Sequence, residues 1–306
     1  INNVPYTRTS NDNGQFSIAL GLPSGVYNVS FDFKGDAKYR ASSAASTVTI
    51  KPTLFGTDVD MMYKDGTRYY VSVKKDNKPV SDVKVKLNIN GVMYYRTTNA
   101  VGTASIALNL NPGTYIVTAE REDTGEKVSN TLLIKSLLVE NKDLTIYYRN
   151  GTGYTVKVIK QDGNVAGAGE VVKFNINGVF YERKTNDQGI AKLNLNLGPS
   201  DYIITAEYKD CRVSNKIKVL PVLSASDLTK KYGTSNPFTV KVLDGQGKPL
   251  ANATVGFNIN GVFYNRISDS TGTAKLNINL MAGEYIITSS YNGANIANKV
   301  TITAWG

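Results

Sequence analysis

The sequence predicts an all-β chain of tandem seven-stranded sandwich repeats arranged as an elongated rod. Three observations predict it. One octapeptide recurs in order, as LNINGVMY from Leu87, FNINGVFY from Phe174 and FNINGVFY from Phe257. Within each copy the apolar period is two: Tyr154, Val156 and Val158 alternate with Thr155 and Lys157, as Phe238, Val240 and Val242 do with Thr239 and Lys241. That is the signature of half-buried strands. No helical periodicity of useful length accompanies it, and Asn-Gly or Gly-ended turns interrupt the runs at short intervals.

The repeat sets the organisation. PGTYIVTA from Pro112 returns as PSDYIITA from Pro199 and AGEYIITS from Ala282, and VSN at Val128 and Val213 returns as IAN at Ile296. Full copies are therefore expected at 53–136, 137–221 and 222–306. Residues 1–52 match the second half of a copy, because INNVPYTR parallels INGVFYNR from Ile259 and SGVYNVSF parallels AGEYIITS. That half supplies four strands and cannot cover its own apolar face, which includes Ile18, Leu20 and Tyr27. Either upstream sequence completes it, or another chain adds strands to its open edge in a head-to-tail filament.

The second copy illustrates the strands, expected near 144–148, 153–159, 171–176, 179–185, 190–196, 201–207 and 212–219. Asn90-Gly91, Asn177-Gly178 and Asn260-Gly261 separate the third and fourth strands; Asn-Gly takes positive φ at both positions of a type I′ hairpin. The next turn ends in Gly14, Gly102, Gly189 or Gly272. Tyr27, Tyr115, Tyr202 and Tyr285 open the sixth strand, the place of a tyrosine corner, whose hydroxyl bonds nearby backbone. Seven strands in such a copy fit an immunoglobulin-like sandwich, with a prealbumin-like sandwich as the rival. The joints Ile134-Lys135-Ser136-Leu137 and Val219-Leu220-Pro221-Val222 are short and favour end-to-end stacking. With each strand spanning roughly 25 Å, the rod would be on the order of 100–150 Å.

Composition excludes most chemistry. There is no histidine and a single cysteine, so Ser-His triads, Cys-His dyads, ordinary zinc sites and intrachain disulfides are absent. Cys211 is expected as a surface thiol in a turn. The net charge of +10, from 35 Lys/Arg against 25 Asp/Glu, is spread evenly over the copies rather than gathered into the stripe that nucleic-acid binding uses. It allows mild attraction to acidic surface polymers. No stretch approaches the roughly 20 apolar residues of a membrane span. A secretion signal, an anchor or any membrane contact would lie outside these residues.

The whole pattern, Y-[KR]-[DN]-G-T, F-N-I-N-G-V-F-Y, G-x-A-x-L-x-[IL]-N-L and G-x-Y-I-[IV]-T-A, resembles the immunoglobulin-like repeats of adhesin-like surface proteins of methanogenic archaea. These in turn are similar to the immunoglobulin-like domains of bacterial adhesins. The first motif degrades to Lys231-Tyr232-Gly233-Thr234 in the last copy. The resemblance implies an extracellular, cell-surface location and a non-enzymatic stalk that spaces a binding region from the envelope. It carries over no catalytic residue, cofactor or metal, and names no ligand.

Several residue sets carry groups capable of chemistry. Asp58 and Asp60 would share one strand face, as surface polarity. Asn11–Gly14 and Ser268–Gly272 are oxygen-rich but have the composition of tight turns and no EF-hand spacing. Asn130, Asn215 and Asn298 recur in the last strand, where an isopeptide-forming lysine would have to face them; Lys86, Lys157, Lys173 and Lys241 do not recur and point outward. The asparagines are expected to satisfy backbone groups. Sequons place possible glycans on Asn28, Asn150 and Asn252, with Asn150 expected to be the exposed one. Met93, Phe180 and Phe263 should lie opposite Asn88, Asn175 and Asn258 on the polar face of the hairpin. There they would form one exposed apolar patch per copy, for an adjacent repeat, a neighbouring copy of the protein or a glycan of a partner cell. The bland alternatives are simple cross-strand cover or an inverted face.

Overall fold

The computed structural model describes residues 1–305. It divides into two compact units, Ile1–Lys135 and Ser136–Gly306. The first holds β1 (Gly25–Phe33), β2 (Ser42–Ile50), β3 (Leu54–Gly56), β4 (Val59–Met62), β5 (Arg68–Lys75), β6 (Lys78–Pro79), β7 (Lys84–Ile89), β8 (Val92–Thr97), β9 (Thr103–Ala107), β10 (Gly113–Arg121) and β11 (Lys127–Lys135). The second opens with β12 (Leu138–Val139), β13 (Leu144–Tyr147), β14 (Gly153–Val158), β15 (Val171–Ile176), β16 (Val179–Lys184), β17 (Ile190–Asn194), β18 (Ser200–Tyr208) and β19 (Cys211–Leu220). It continues with β20 (Leu223–Ala225), β21 (Leu228–Lys231), β22 (Phe238–Val242), β23 (Thr254–Ile259), β24 (Val262–Ile267), β25 (Thr273–Leu276), β26 (Gly283–Tyr291) and β27 (Ala294–Thr303).

No helix occurs among the described residues. Three sandwiches share one plan. A five-stranded sheet, ordered β4-β11-β10-β7-β8, β13-β19-β18-β15-β16 and β21-β27-β26-β23-β24, faces a smaller sheet built on β3-β5-β9, β12-β14-β17 and β20-β22-β25. Pairing is antiparallel except where β4, β13 and β21 run parallel to β11, β19 and β27. All seven strands expected in the second copy are present, and the short β12 before them was not foreseen.

The local chemistry explains the register. Asn90, Asn177 and Asn260 have φ near +50°, and their glycines near +75°, so the type I′ turn is made as the dipeptide dictates. The tyrosine corners are in place. The hydroxyls of Tyr27, Tyr115, Tyr202 and Tyr285 donate to the carbonyls of Pro23, Asn111, Gly198 and Met281 at 2.7, 2.9, 2.8 and 3.0 Å. Alternation then sends Tyr154, Val156 and Val158 inward. Tyr154 meets Phe174 edge-on with centroids 5.9 Å apart, and Phe238 meets Phe257 likewise at 6.0 Å.

Residues 1–52 depart from expectation. Only β1 and β2 form, as a two-stranded antiparallel sheet, and residues 1–24 contain no strand. The turns survive: Val4 N–H donates to Ile1 C=O, and Gly14 N–H to Asn11 C=O, both at 2.9 Å. Turns close through local bonds, whereas strands need neighbours. The residues that match buried Ala104 and Leu108, Phe16 and Leu20, are accordingly exposed.

Candidate functional site

The most regular polar construction lies at one corner of each sandwich. The residue before β4, β13 or β21 is Asp58, Asp143 or Asp227. Each carboxylate accepts a carboxamide N–H, from Asn130, Asn215 or Asn298, at 3.0–3.1 Å. Each also accepts a backbone N–H, from Thr131, Lys216 or Lys299, at 2.9–3.0 Å. Asp58 and Asp143 are held below the usual carboxylate range by the asparagine bond first and the backbone bond second, and Asp227 by the same two in the reverse order. The asparagine Oδ1 in turn accepts the hydroxyl of Tyr69 at 2.8 Å or Tyr154 at 2.5 Å. Burial pushes both phenols up to about 12. The third sandwich has Phe238 at that place, and Asn298 Oδ1 is buried without a partner.

This corner ties β13 to β19 and leaves no group poised to react. The asparagines serve a side-chain network, and Asn298 also makes a backbone bond of the expected kind, its Nδ2 donating to Ala225 C=O at 3.3 Å. The lysine nearest the isopeptide idea, Lys230, was missed by sequence reasoning. It is buried in β21, where the other sandwiches carry Met61 and Ile146, and its ammonium donates to the Ile278 carbonyl at 3.0 Å. The oxygen-rich turns spend their side chains locally: Asn11 Oδ1 accepts from the backbone of Asn13 and Gln15, and Asp269 Oδ1 from Thr271 and Thr273. Asp58 and Asp60 are both exposed on either side of buried Val59, and Asp60 pairs with Lys135 at 2.7 Å.

The apolar patch residues stand on the outward face of each five-stranded sheet. Met93, Phe180 and Phe263 pair with Asn88, Asn175 and Asn258 and are 47%, 60% and 78% exposed. The row continues through Thr118 and Ser129 in the first sandwich and Thr205 and Ser214 in the second, whose hydroxyls lie 2.9 Å apart. Lys173 Nζ lies 5.5 Å from the Phe180 ring centre. Sequence reasoning missed Ile116, Ile203 and Ile286, which are exposed on the same face, two residues before Thr118, Thr205 and Thr288. Alternation from the Asn-Gly turn could have found them.

A joint between the second and third sandwiches completes the candidate features. The turn after β13 packs onto the third sandwich's core, with Tyr147 and Tyr148 against it. Arg149 Nη1 donates to Asn292 Oδ1 at 2.5 Å. The seat is built from glycines. A Cβ at Gly245 would stand 2.9 Å from Asn150 Cα, one at Gly293 would stand 3.1 Å from Tyr148 Oη, and one at Gly247 would collide with the Tyr147 ring. Gly247 also has φ +79°, a second reason for its identity.

Cys211 and Asn150 depart from the sequence expectation. Cys211 is no surface thiol: it opens β19 fully buried, with Sγ 3.4 Å from Leu137 N and Ser136 Oγ, because the turn before it is only Lys209-Asp210 and its side chain alternates inward. Asn150 is not the exposed sequon. It is half-buried against Gly245 and its Oδ1 accepts Thr152 N–H at 2.8 Å, whereas Asn28 and Asn252 are exposed.

Open grooves, not clefts, mark the smaller sheets: one of about 390 Å³ beside Phe238 and Lys241, another of about 260 Å³ between Phe55 and Tyr70. No cluster of three metal-ligating side chains occurs among the described residues.

No protein-family model and no curated protein matches the chain. Solved structures do. The titin I9–I11 tandem is 16% identical, with 82% of this chain and 97% of that one covered and a TM-score of 0.33. A Ca²⁺-stabilized adhesin that helps an Antarctic bacterium reach out and bind ice is 14% identical over 92% of this chain and 82% of that one, TM-score 0.23. Invasin, a bacterial integrin-binding protein, is 16% identical over 82% and 59%, TM-score 0.24. The immunoglobulin-like sandwich assignment rests on the sheet orders and tyrosine corners above.

Proposed function

We propose that the chain is a non-enzymatic stalk segment of an extracellular, cell-surface adhesin-like protein, divided into repeats at 53–136, 137–221 and 222–306, with 1–52 as a half repeat. The supporting observation is the joint: a turn of one sandwich seated on glycines of the next resists swinging, which is what a spacer requires. A spin-label pair on Thr155 and Thr239, which lie on β14 and β22, tests it. A single narrow distance distribution is expected, broadened by Gly247→Val. A broad distribution in the parent chain would refute the reading.

A second reading, a carbohydrate or wall-polymer module, is favoured by the exposed row Phe180-Asn175-Thr205-Ser214, an aromatic beside hydrogen-bonding side chains. Met93→Ser with Phe180→Ser and Phe263→Ser should abolish capture on a glycan array without unfolding the chain. Loss of folding would mark these residues as structural.

A further inference from the structure

One edge of every five-stranded sheet is a six-residue strand, β8, β16 or β24, that carries three or four exposed large apolar residues. Such an edge is a template for pairing with another chain. Its geometry follows from the two-residue turn. The pair flanking the turn exchanges both hydrogen bonds, and bonded pairs alternate thereafter. In β16, Val179, Tyr181 and Arg183 therefore bond inward to β15, while the N–H and C=O of Phe180, Glu182 and Lys184 face the open edge.

One residue recurs on these edges and the function proposed above does not use it. Arg96, Arg183 and Arg266 lie opposite the buried Val85, Val172 and Val255, on the face turned toward the smaller sheet. Each guanidinium Nη1 donates to the carbonyl of the preceding residue, Tyr95, Glu182 or Asn265, at 2.7 Å in all three. That carbonyl is the central open-edge acceptor of its strand. Two of the guanidiniums are also held over neighbouring rings, Arg183 and Arg266 lying 5.8 Å from the centres of Tyr181 and Tyr264. In the first sandwich Arg96 Nε donates to Ser105 C=O at 3.2 Å instead.

We propose that Arg96, Arg183 and Arg266 are edge guards that prevent a second copy of this chain from adding a strand to β8, β16 or β24. An incoming N–H would have to displace a charge-assisted hydrogen bond from the middle acceptor, and the incoming strand's inward side chain would meet a cation. The excluded partner is another copy because the three edges read V-[MF]-Y-x-R and so match themselves. Chains crowded on one surface would otherwise meet at these edges. The filament expected from the sequence then has no route through them.

The test is sedimentation velocity of the full chain carrying Arg96→Thr, Arg183→Thr and Arg266→Thr, beside the parent over the same concentrations. Threonine keeps strand propensity and removes the cation. The variant should self-associate at least tenfold more tightly than the parent while its far-UV spectrum is retained. Adding Tyr95→Pro, Glu182→Pro and Asn265→Pro removes the open-edge N–H without touching the ladder and should return the parent's distribution. If the triple variant loses its strand spectrum, Arg183→Thr alone, with and without Glu182→Pro, is read the same way. A guard-less chain that stays as dispersed as the parent, or oligomers that survive the prolines, would overturn the proposal.

Discussion

Phe238 and Ala225 should be coupled, and the coupling can be measured. In the first sandwich Gly56 pairs with Val71, and a Cβ there would collide with Tyr69 Oη and Asn130 Oδ1. In the third, Ala225 pairs with Val240 at the equivalent register, and Phe238 replaces the tyrosine. The methyl of Ala225 thus stands where the hydroxyl would be, and Asn298 Oδ1 is left without a donor. Phe238→Tyr alone should gain a hydrogen bond but overpack, leaving stability unchanged or lowered by about 1 kcal/mol. Ala225→Gly alone should cost about 1 kcal/mol, from a lost methyl and a freer backbone. Together they rebuild the first sandwich's corner and satisfy a buried acceptor, so the interaction energy should be about 1–3 kcal/mol favourable. Urea unfolding followed by the single tryptophan, Trp305, reads the third sandwich, since its indole lies beside Gly233. Hydrogen exchange of the β22 amides supplies an independent probe. A double variant additive within about 0.5 kcal/mol would refute the reasoning.

Other consequences follow from the same geometry. Lys230→Met should stabilise the third sandwich by about 1–3 kcal/mol in the same unfolding assay, because a buried ammonium with one carbonyl acceptor gives way to the side chain that Met61 supplies in the first. Asp58, Asp143 and Asp227 have depressed folded-state values, so their contribution is present above the unfolded value near 4 and is lost as pH falls through the folded one. Asp143→Asn should flatten the dependence of stability on pH on the acid side, measured by urea midpoints. Tyr69 and Tyr154 behave oppositely: with folded values raised to about 12, their contribution is full below pH ~10 and lost as pH rises through 12. Tyr69→Phe with Tyr154→Phe should remove that alkaline loss, followed by phenolate absorbance and circular dichroism together.

Period and turn chemistry made the fold legible. Alternation assigned Tyr154, Val156 and Val158 to the core, and Asn177-Gly178 set the register that places Phe180 opposite Asn175. The corner network escaped because it joins residues 72 apart in sequence, Asp58 with Asn130 and Asp143 with Asn215, and the asparagine was read as recurrent while Asp58 was read only beside Asp60. Cys211 was misplaced by one residue of turn, and in a strand one residue exchanges the core for the surface. β12 was invisible because two residues carry no period. Phe16 and Leu20 follow the pattern and still lie exposed: pattern specifies a face, and the structure must supply something to cover it.

In a repeated fold the matching residues maintain the sandwich, so individuality resides in the differences between copies, and here these are of two kinds. Phe238 with Ala225 is a compensated change: methyl for hydroxyl, inside one corner, with nothing outside the sandwich sensing it. The seat of the joint is different. The third sandwich presents Gly245, Asn292 and Gly293 where the second carries Gln161, Lys209 and Asp210. These three lie at loop tips, where the sandwich itself makes no demand for a small residue at Gly245 and the neighbour's Asn150 backbone does. A change that its own domain does not require, and that an adjoining domain does, is evidence of fitting between domains. Exchanging the two loop sets should therefore leave each sandwich folded and alter only how firmly the turn at Tyr147–Asn150 is held.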